Sequence, residues 1–169
     1  LSPLLCLLVV NGILKTFDSK VVKVVAYADD VAIILPGHDP RTICKQMTQA
    51  LKTLKDWTST CGLSIHPSKT ELIMFTKRKL PADLVYPELD EVSKRFVDKA
   101  KYLGVIIDSK LTWKDNAMER VKKSINAFYA CRSAFGKSWG LSPKIILWIY
   151  KAIIRPILMY GAIVWWHSL

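Results

Sequence analysis

Two adjacent carboxylates, Asp29 and Asp30, are the residues of this chain whose type and spacing most readily support chemistry. They lie within KVVKVVAYADDVAIILPG, between two apolar runs rich in valine. Neighbouring negative charges repel unless a cation lies between them, and Mg²⁺ prefers oxygen ligands that it shares with substrate phosphates. Two such ions can hold the attacking and leaving oxygens of a phosphoryl transfer. A purely structural role is the alternative, because Asp is common in turns.

A second group of residues suited to binding lies near the end of the sequence. Lys144, Trp148, Lys151 and Arg155, here called the basic stripe, are spaced at i, i+4, i+7 and i+11 and would share one face of an α-helix. Basic side chains with an interleaved aromatic ring suit a nucleic acid. The alternative is a solvated charged face with Trp148 partly in the core.

The composition also favours a polyanionic partner. The chain has 169 residues, a net charge of +11 at pH 7 and 51% hydrophobic residues, as expected of a packed body that meets nucleic acid. Four widely spaced cysteines without a CxxC pair argue against a structural zinc site and a disulfide framework, and favour a reducing, intracellular setting. Residues 145–166 are apolar but include Lys151, Arg155 and Pro156, so we expect a core helix and no membrane span.

Around the two carboxylates the pattern predicts a β-hairpin and then a helix. Val21–Ala26 and Val31–Leu35 are β-branched runs joined by a short acidic link, which favours strands with a tight turn. Asp39 should cap the helix, Pro40 should be its first residue, and Gly62 should end it. Residues 4–14 are compatible with either a helix or a buried strand.

Further along the chain, we expect a strand at Leu72–Thr76, a charged loop or boundary at Lys77–Lys101, and a hairpin that begins in KYLGVIID. A helix should run from about Lys114 to Phe135, and another should start at Ser142–Pro143 and bend or end near Pro156. The periodicity of the first of these helices predicts an inward face and an outward face. The inward residues would be Ala117, Val121, Ile125, Phe128 and Phe135, and the outward residues Arg120, Lys122 and Lys123.

The order of these motifs resembles that of reverse transcriptases. YADD (27–30) between apolar strands resembles their catalytic motif, LSPLL (1–5) the tail of the preceding motif, and GLSIHPSKTELIMF (62–75) the next palm motif. KYLGVIID (101–108) resembles the primer-grip hairpin. IYKAIIRPILMYGAIVWW (149–166) resembles the thumb-end segment of non-LTR retrotransposon polymerases, especially jockey-like and related arthropod elements. The resemblance covers nearly the whole chain.

The resemblance implies an α+β fold. The C-terminal part of a polymerase palm, with the YADD hairpin and a helix, would be followed by a mainly helical, thumb-like lobe. Residues 1–80 would be the partial palm, residues 81–113 a connecting loop with the primer-grip-like hairpin, and residues 114–169 the thumb-like region.

The resemblance also implies roles for individual residues. Asp29 would be the main ligand of two Mg²⁺ ions and Asp30 the supporting carboxylate. Tyr27 would lie near the incoming nucleotide or the primer end. Lys69 would lie near the triphosphate and protonate the departing pyrophosphate, with a solvated loop lysine as the alternative.

For the remaining motif residues the resemblance implies binding or structural roles. Tyr102, Leu103 and Gly104 would form the primer grip, and core packing is the alternative for Tyr102 and Leu103. His66 occupies a position where many relatives have asparagine, and it would have a structural role in a turn.

The family's palm carries a further metal-binding aspartate upstream of the LSP motif, and fingers that hold the template; the sequence contains neither. We therefore expect a fragment that is inactive alone, unless Asp18 or Asp108 supplies the third ligand. The full protein would act on template RNA, primer DNA and deoxynucleoside triphosphates, together with the missing fingers and palm. An endonuclease would lie elsewhere in the polyprotein. The setting would be intracellular: nuclear at integration, otherwise cytoplasmic.

Two other functions stay open. A decayed or domesticated copy would be a non-catalytic nucleic-acid-binding module, and the intact pair of aspartates argues against decay. A membrane-associated interaction protein would rest on the apolar tail alone.

Overall fold

The computed structural model describes residues 2–17, 21–90, 92–133 and 142–168. The chain divides into two compact units, Leu1–Asp98 and Lys99–Leu169. Both units combine helices with two-stranded antiparallel pairs, which agrees with the predicted α+β class. The finer division at residues 80 and 113 stays a prediction.

The first unit is built on two helices and a hairpin. Its elements are α1 (Ser2–Thr16), β1 (Lys23–Tyr27), β2 (Asp30–Ile34), α2 (Pro40–Thr60), a 3₁₀ turn (Pro67–Lys69), β3 (Glu88–Leu89) and β4 (Val92–Ser93). Residues 4–14, for which the sequence allowed either a helix or a buried strand, therefore lie in a helix. Ile13 of this helix and Phe17, which directly follows it, pack with Ala50 and Leu54 of α2. Burial of these side chains is what holds the unit together.

The predicted hairpin and the helix after it are confirmed. Strands β1 and β2 pair in register from Lys23 opposite Ile34 to Tyr27 opposite Asp30. The Asp39 side chain accepts the backbone N–H groups of Arg41 and Thr42, with Pro40 as the first helical residue. These bonds satisfy N–H groups that have no partner inside the helix.

The strand predicted at Leu72–Thr76 is wrong. Only Leu72 pairs, in an isolated bridge to Phe96, and the Val97 N–H donates to the Leu72 carbonyl at 2.8 Å. A strand needs a neighbour along its whole length to satisfy its backbone, and within the described ranges no other segment pairs with residues 73–76. The Lys77–Lys101 segment contains β3 and β4, and the division between the two units lies within it.

The second unit joins a hairpin to helices. Its elements are β5 (Lys99–Tyr102), β6 (Val105–Asp108), α3 (Lys114–Ser133), α4 (Pro143–Ile149), a π-helical turn (Tyr150–Ile154), α5 (Arg155–Leu158), α6 (Ala162–Trp165) and a 3₁₀ turn (Trp166–Ser168). The hairpin in KYLGVIID is confirmed, with β5 and β6 antiparallel. The helix predicted from Lys114 is confirmed as well, although Phe135 lies outside the described residues.

The predicted faces of α3 are wrong in part: Lys122 and Lys123 are exposed as expected, but Arg120 is buried. The buried residues of the helix are Asn116, Arg120 and Ser124, whereas Val121, Ile125 and Phe128 are about half exposed. Two hydrogen bonds explain this burial. The Asn116 Oδ1 accepts the Ile106 N–H at 3.2 Å, and the Arg120 guanidinium donates to the Gly104 carbonyl. The backbone of the hairpin therefore draws the polar face of α3 inward.

The last helical segment is not one continuous α-helix. After α4 the backbone widens into the π turn, and the Arg155 N–H donates to the carbonyl of Tyr150, five residues back. Pro156 has no N–H for the residue 152 carbonyl and would crowd it in an α-helix, which accounts for the widened turn. The bend predicted near Pro156 thus takes the form of a π turn before it. Within the described residues, no helix combines the length and apolarity needed to cross a bilayer.

Candidate active site

The two aspartates lie at the tip of the β1–β2 hairpin. Tyr27 and Asp30 form its closing pair, so Ala28 and Asp29 alone make the loop. Val24 and Ile33 anchor the hairpin on the core of the first unit, whereas Tyr27, Asp29 and Asp30 are exposed. The structure therefore brings together the three predicted residues of the YADD motif on one rigid element.

The loop holds a backbone conformation that non-glycine residues rarely adopt. Ala28 has φ of 53°, in the left-handed region. Such a conformation costs an L-residue roughly 1–2 kcal/mol. Strained residues of this kind cluster at functional sites, where the surrounding structure must enforce them. Here the paired strands on either side of the loop enforce it.

Both carboxylates are available to a cation. In the part of the chain that the structure describes, neither Asp29 nor Asp30 takes part in an ion pair or a side-chain hydrogen bond. Oxygen donors without a protein partner fit the needs of a divalent ion such as Mg²⁺. The described residues contain no group of three His, Cys, Asp or Glu side chains that could hold a metal ion.

The structure describes one of the two candidates for a third carboxylate. Asp18 lies outside the described residues. Asp108 belongs to the second unit, where its side chain accepts the backbone N–H groups of Thr112 and Trp113 at 2.8 and 2.9 Å. Burial raises the pKa of Asp108, but these hydrogen bonds outweigh burial and hold it below the ordinary value of 3.8. Asp108 therefore anchors a loop.

Lys69 lies in the first unit with the aspartates, on the Pro67–Lys69 turn, and is exposed. The Lys94 ammonium donates to the Pro67 carbonyl at 2.5 Å and fixes the start of this turn. The ring of His66 lies 3.0 Å from the Ser68 hydroxyl (Nδ1 to Oγ), and the Thr70 hydroxyl donates to the His66 carbonyl. His66 thus has the predicted turn role, and the role of Lys69 stays a prediction.

The predicted primer-grip residues lie together on the β5–β6 turn of the second unit. Tyr102 and Val105 close the turn, and Leu103 and Gly104 have φ of 46° and 79°. The Tyr102 hydroxyl is buried and has no hydrogen-bond partner among the described residues. This burial favours packing for the Tyr102 side chain, so any contact with a nucleic acid would come from the turn itself.

Two residues that the sequence reasoning did not assign hold this turn. The Tyr160 hydroxyl donates to the Leu103 carbonyl at 2.9 Å. The Arg120 guanidinium donates to the Gly104 carbonyl and lies over the Tyr160 ring, 4.5 Å from its centroid. The i, i+4, i+8 spacing of Asn116, Arg120 and Ser124 was the available signal, because it defines a second, polar face on α3.

The basic stripe is only partly formed. Lys144, Trp148, Lys151 and Arg155 are all exposed, as binding requires. The π turn, however, inserts the equivalent of one extra residue before Arg155, which rotates it by roughly a quarter turn from the face of Lys144 and Trp148. The prediction that all four share one face is therefore wrong for Arg155.

Comparison with known proteins supports one family. The model of the family described as reverse transcriptase (RNA-dependent DNA polymerase) matches residues 1–107. The chain is 27% identical, over 99% of its length, to a Pol polyprotein from the type-1 retrotransposable element R1 of Nasonia vitripennis, and covers 51% of it. It is also 24% identical, over 88% of its length, to a probable RNA-directed DNA polymerase from transposon BS of Drosophila melanogaster, and covers 16% of that protein.

The chain thus spans about half the length of the Nasonia relative and a smaller part of the Drosophila relative. No solved structure matches it. The matched residues 1–107 make up most of the chain and include the YADD hairpin. The resemblance to polymerases of non-LTR retrotransposons is confirmed, and the chain belongs to the reverse transcriptase (RNA-dependent DNA polymerase) family.

Proposed function

We propose that the protein to which this chain belongs is an RNA-directed DNA polymerase of a non-LTR retrotransposon, and that this chain supplies the second half of its palm and a thumb-like region. The observation that supports the proposal most directly is the exposed pair Asp29 and Asp30 on an apolar hairpin. Two carboxylates without a protein cation, in a chain of this family, fit a metal-dependent nucleotidyl transfer.

Asp29 and Asp30 would hold the divalent ions, which we propose to be two Mg²⁺. When bound, these ions supply positive charge to phosphate oxygens during the transfer. Tyr27, opposite Asp30 in the hairpin, would bound the space for the incoming nucleotide or the primer end. Lys69 would deliver a proton to the departing pyrophosphate.

The second unit would bind the template RNA and primer DNA. The Leu103–Gly104 turn would contact the primer, and Lys144, Trp148 and Lys151 would contact the sugar–phosphate backbone. The fingers, the remaining palm aspartate and an endonuclease would belong to other parts of the polyprotein. Its place of action would be the nucleus at integration and the cytoplasm otherwise.

A non-catalytic nucleic-acid-binding module is the second candidate. The net charge of +11 and the exposed basic stripe favour it. The two candidates differ in one property: only the polymerase requires the carboxylates of Asp29 and Asp30.

Primer extension by the full-length polyprotein on an RNA template with Mg²⁺ tests the proposal. Asp29→Asn should lower the extension rate by roughly a hundredfold or more, because a single electrostatic group at a transition state is worth on the order of 10²–10³ in rate. Asp30→Asn should have a smaller but clear effect. Asp56→Asn is the matched control, since Asp56 is exposed on α2. Equal rates for the Asp29 and Asp56 variants would contradict the proposal.

A further inference from the structure

The β5–β6 turn is held by side chains that come from far along the chain. The Tyr160 hydroxyl and the Arg120 guanidinium donate to consecutive carbonyls, those of Leu103 and Gly104. We call Arg120 and Tyr160 the clamp. The clamp therefore gives both carbonyls of this turn a hydrogen-bond donor and restricts the turn's backbone.

The clamp is itself fixed in place. The Trp165 indole N–H donates to the Tyr160 carbonyl at 3.1 Å, and Trp165 is buried. Gly161 has φ of 68°, and a Cβ there would lie 2.9 Å from the Val105 side chain, so the chain approaches the hairpin more closely than another residue allows. Tyr160 therefore reaches the turn from a rigid base.

Arg120 is buried, which is unusual for a charged side chain. Its side chain is 6% exposed, its Nε has no partner among the described residues, and no carboxylate lies within ion-pair distance in the described chain. A buried charge without a counter-ion is costly. The Gly104 carbonyl and the Tyr160 ring offset part of that cost. A positive charge at this point fits a turn that meets a polyanion.

The turn offers hydrogen-bond donors to that polyanion. With both carbonyls occupied, its remaining backbone polar groups are the N–H groups of Leu103 and Gly104, which have no backbone acceptor in the described chain. Successive backbone N–H groups in a turn bind anionic oxygens such as those of phosphate. The covered carbonyls remove the negative partial charges that would repel the same group.

We propose that Arg120 and Tyr160 are positioning residues that fix the Leu103–Gly104 turn for contact with a backbone phosphate of the primer strand. This inference rests on the proposed polymerase function. It assigns the clamp to primer binding: neither side chain touches the reacting atoms, and the effect of each passes through the turn.

Steady-state primer extension by the full-length polymerase tests the clamp. Tyr160→Phe removes only the hydroxyl that bonds Leu103. The KM for primer–template should rise about two- to tenfold, the loss expected for a single hydrogen bond, while kcat and the KM for deoxynucleoside triphosphate stay unchanged. A merely structural role would lower the fraction of active protein, and so kcat, and leave the primer–template KM unaltered.

A second variant disturbs the same turn from its other side. Gly104→Ala puts a Cβ at φ of 79° and 3.5 Å from the Tyr160 ring, so it should raise the same KM. Tyr129→Phe is the matched control, because Tyr129 is an exposed tyrosine of the second unit whose hydroxyl has no partner among the described residues. If Gly104→Ala does not fold, Tyr160→Phe carries the test alone.

The outcomes separate the two proposals. A wild-type protein that does not extend primers contradicts the polymerase function. An active wild-type protein whose Tyr160→Phe variant keeps the wild-type KM for primer–template overturns the clamp and leaves the polymerase function standing.

Discussion

Tyr27 and Asp30 face each other as the last pair of the β1–β2 hairpin, and this pairing confines the loop between them to Ala28 and Asp29. The position of the proposed metal ligands thus depends on a loop with no spare residue. Because Ala28 takes a left-handed conformation, the loop is sensitive to the residue type at that position.

Substitution of Ala28 should separate backbone strain from chemistry. Ala28→Gly should change the free energy of unfolding by less than about 1 kcal/mol, because relief of the left-handed strain and the greater entropy of glycine oppose each other. Ala28→Val should destabilise by about 1–3 kcal/mol, since a β-branched residue tolerates positive φ poorly. Urea denaturation, fitted with the same m-value for the wild-type protein and both variants, checks both values. Equal stabilities for the two variants would rule out a strained loop.

Asp108 should make stability depend on acid pH. Its pKa in the folded protein is below 3.8 because, although burial raises it, the N–H groups of Thr112 and Trp113 outweigh burial. The carboxylate therefore contributes stability that is complete above pH 3.8 and is lost as the pH falls through the folded-state pKa. The stability lost in Asp108→Asn should be constant near neutral pH and shrink below pH 3.8. Denaturant titrations at several pH values measure this.

The control for Asp108 is Asp98→Asn. Asp98 is exposed, and the structure shows no side-chain partner for it in the described ranges. Its variant should follow the wild-type pH profile. A wild-type profile for Asp108→Asn as well would mean that the Thr112 and Trp113 hydrogen bonds do not favour the ionised carboxylate.

Substitution of Asn116 should destabilise the protein both when its acceptor is removed and when a charge is introduced. It is fully buried and accepts the Ile106 N–H through Oδ1. Asn116→Ala should cost about 1–3 kcal/mol because that N–H is left without a partner. Asn116→Asp keeps an acceptor but buries an ionised group at pH 7. Burial should raise the pKa of the new carboxyl, so its destabilisation should decrease as the pH falls; an effect that grows toward low pH would contradict this.

The π turn gives the basic stripe a measurable asymmetry. If Lys144 and Lys151 each meet one phosphate, replacing both with alanine should flatten the slope of log K against log[salt] by roughly 1.4, about 0.7 per contact on a single strand. Arg155→Ala should leave the slope unchanged, because Arg155 lies roughly a quarter turn away. Binding of a single-stranded oligonucleotide by the 169-residue chain is the measurement.

Lys45→Ala with Lys52→Ala is the charge-matched control for the stripe. Both lysines are exposed on α2 in the first unit. A loss of slope equal to that of the Lys144 and Lys151 variant would show that net charge alone governs binding.

The YADD hairpin could be predicted from the sequence because local patterns specify it. Two β-branched runs joined by a short acidic link leave little choice of pairing, and the inward residues of β1 follow the strand period. Helix α2 was equally clear, since Asp39 and Pro40 mark its start and its apolar face is buried. Here local propensity, capping and burial all favour the same structure.

The α3 face and the clamp could not be predicted in this way. Periodicity assigns apolar residues to the core, but the Arg120 side chain is buried because the hairpin backbone needs a donor, a partner some 16 positions away. Tyr160 meets Leu103 across 57 positions. Single-sequence patterns describe neighbours along one helix and carry no information about such pairings. The π turn could not be predicted for a related reason. Pro156 indicates that the helix bends or ends nearby, but it does not indicate which form the backbone takes there.

The exposed apolar residues of α3 have a consequence for how the isolated chain behaves in solution. Val121, Ile125 and Phe128 present an apolar stripe to solvent, and such stripes promote self-association. At low ionic strength the net charge of +11 keeps copies apart. Salt shortens the range of that repulsion to about 10 Å at 0.1 M. High salt, the usual means of stripping nucleic acid from a basic protein, should therefore drive this one toward aggregation.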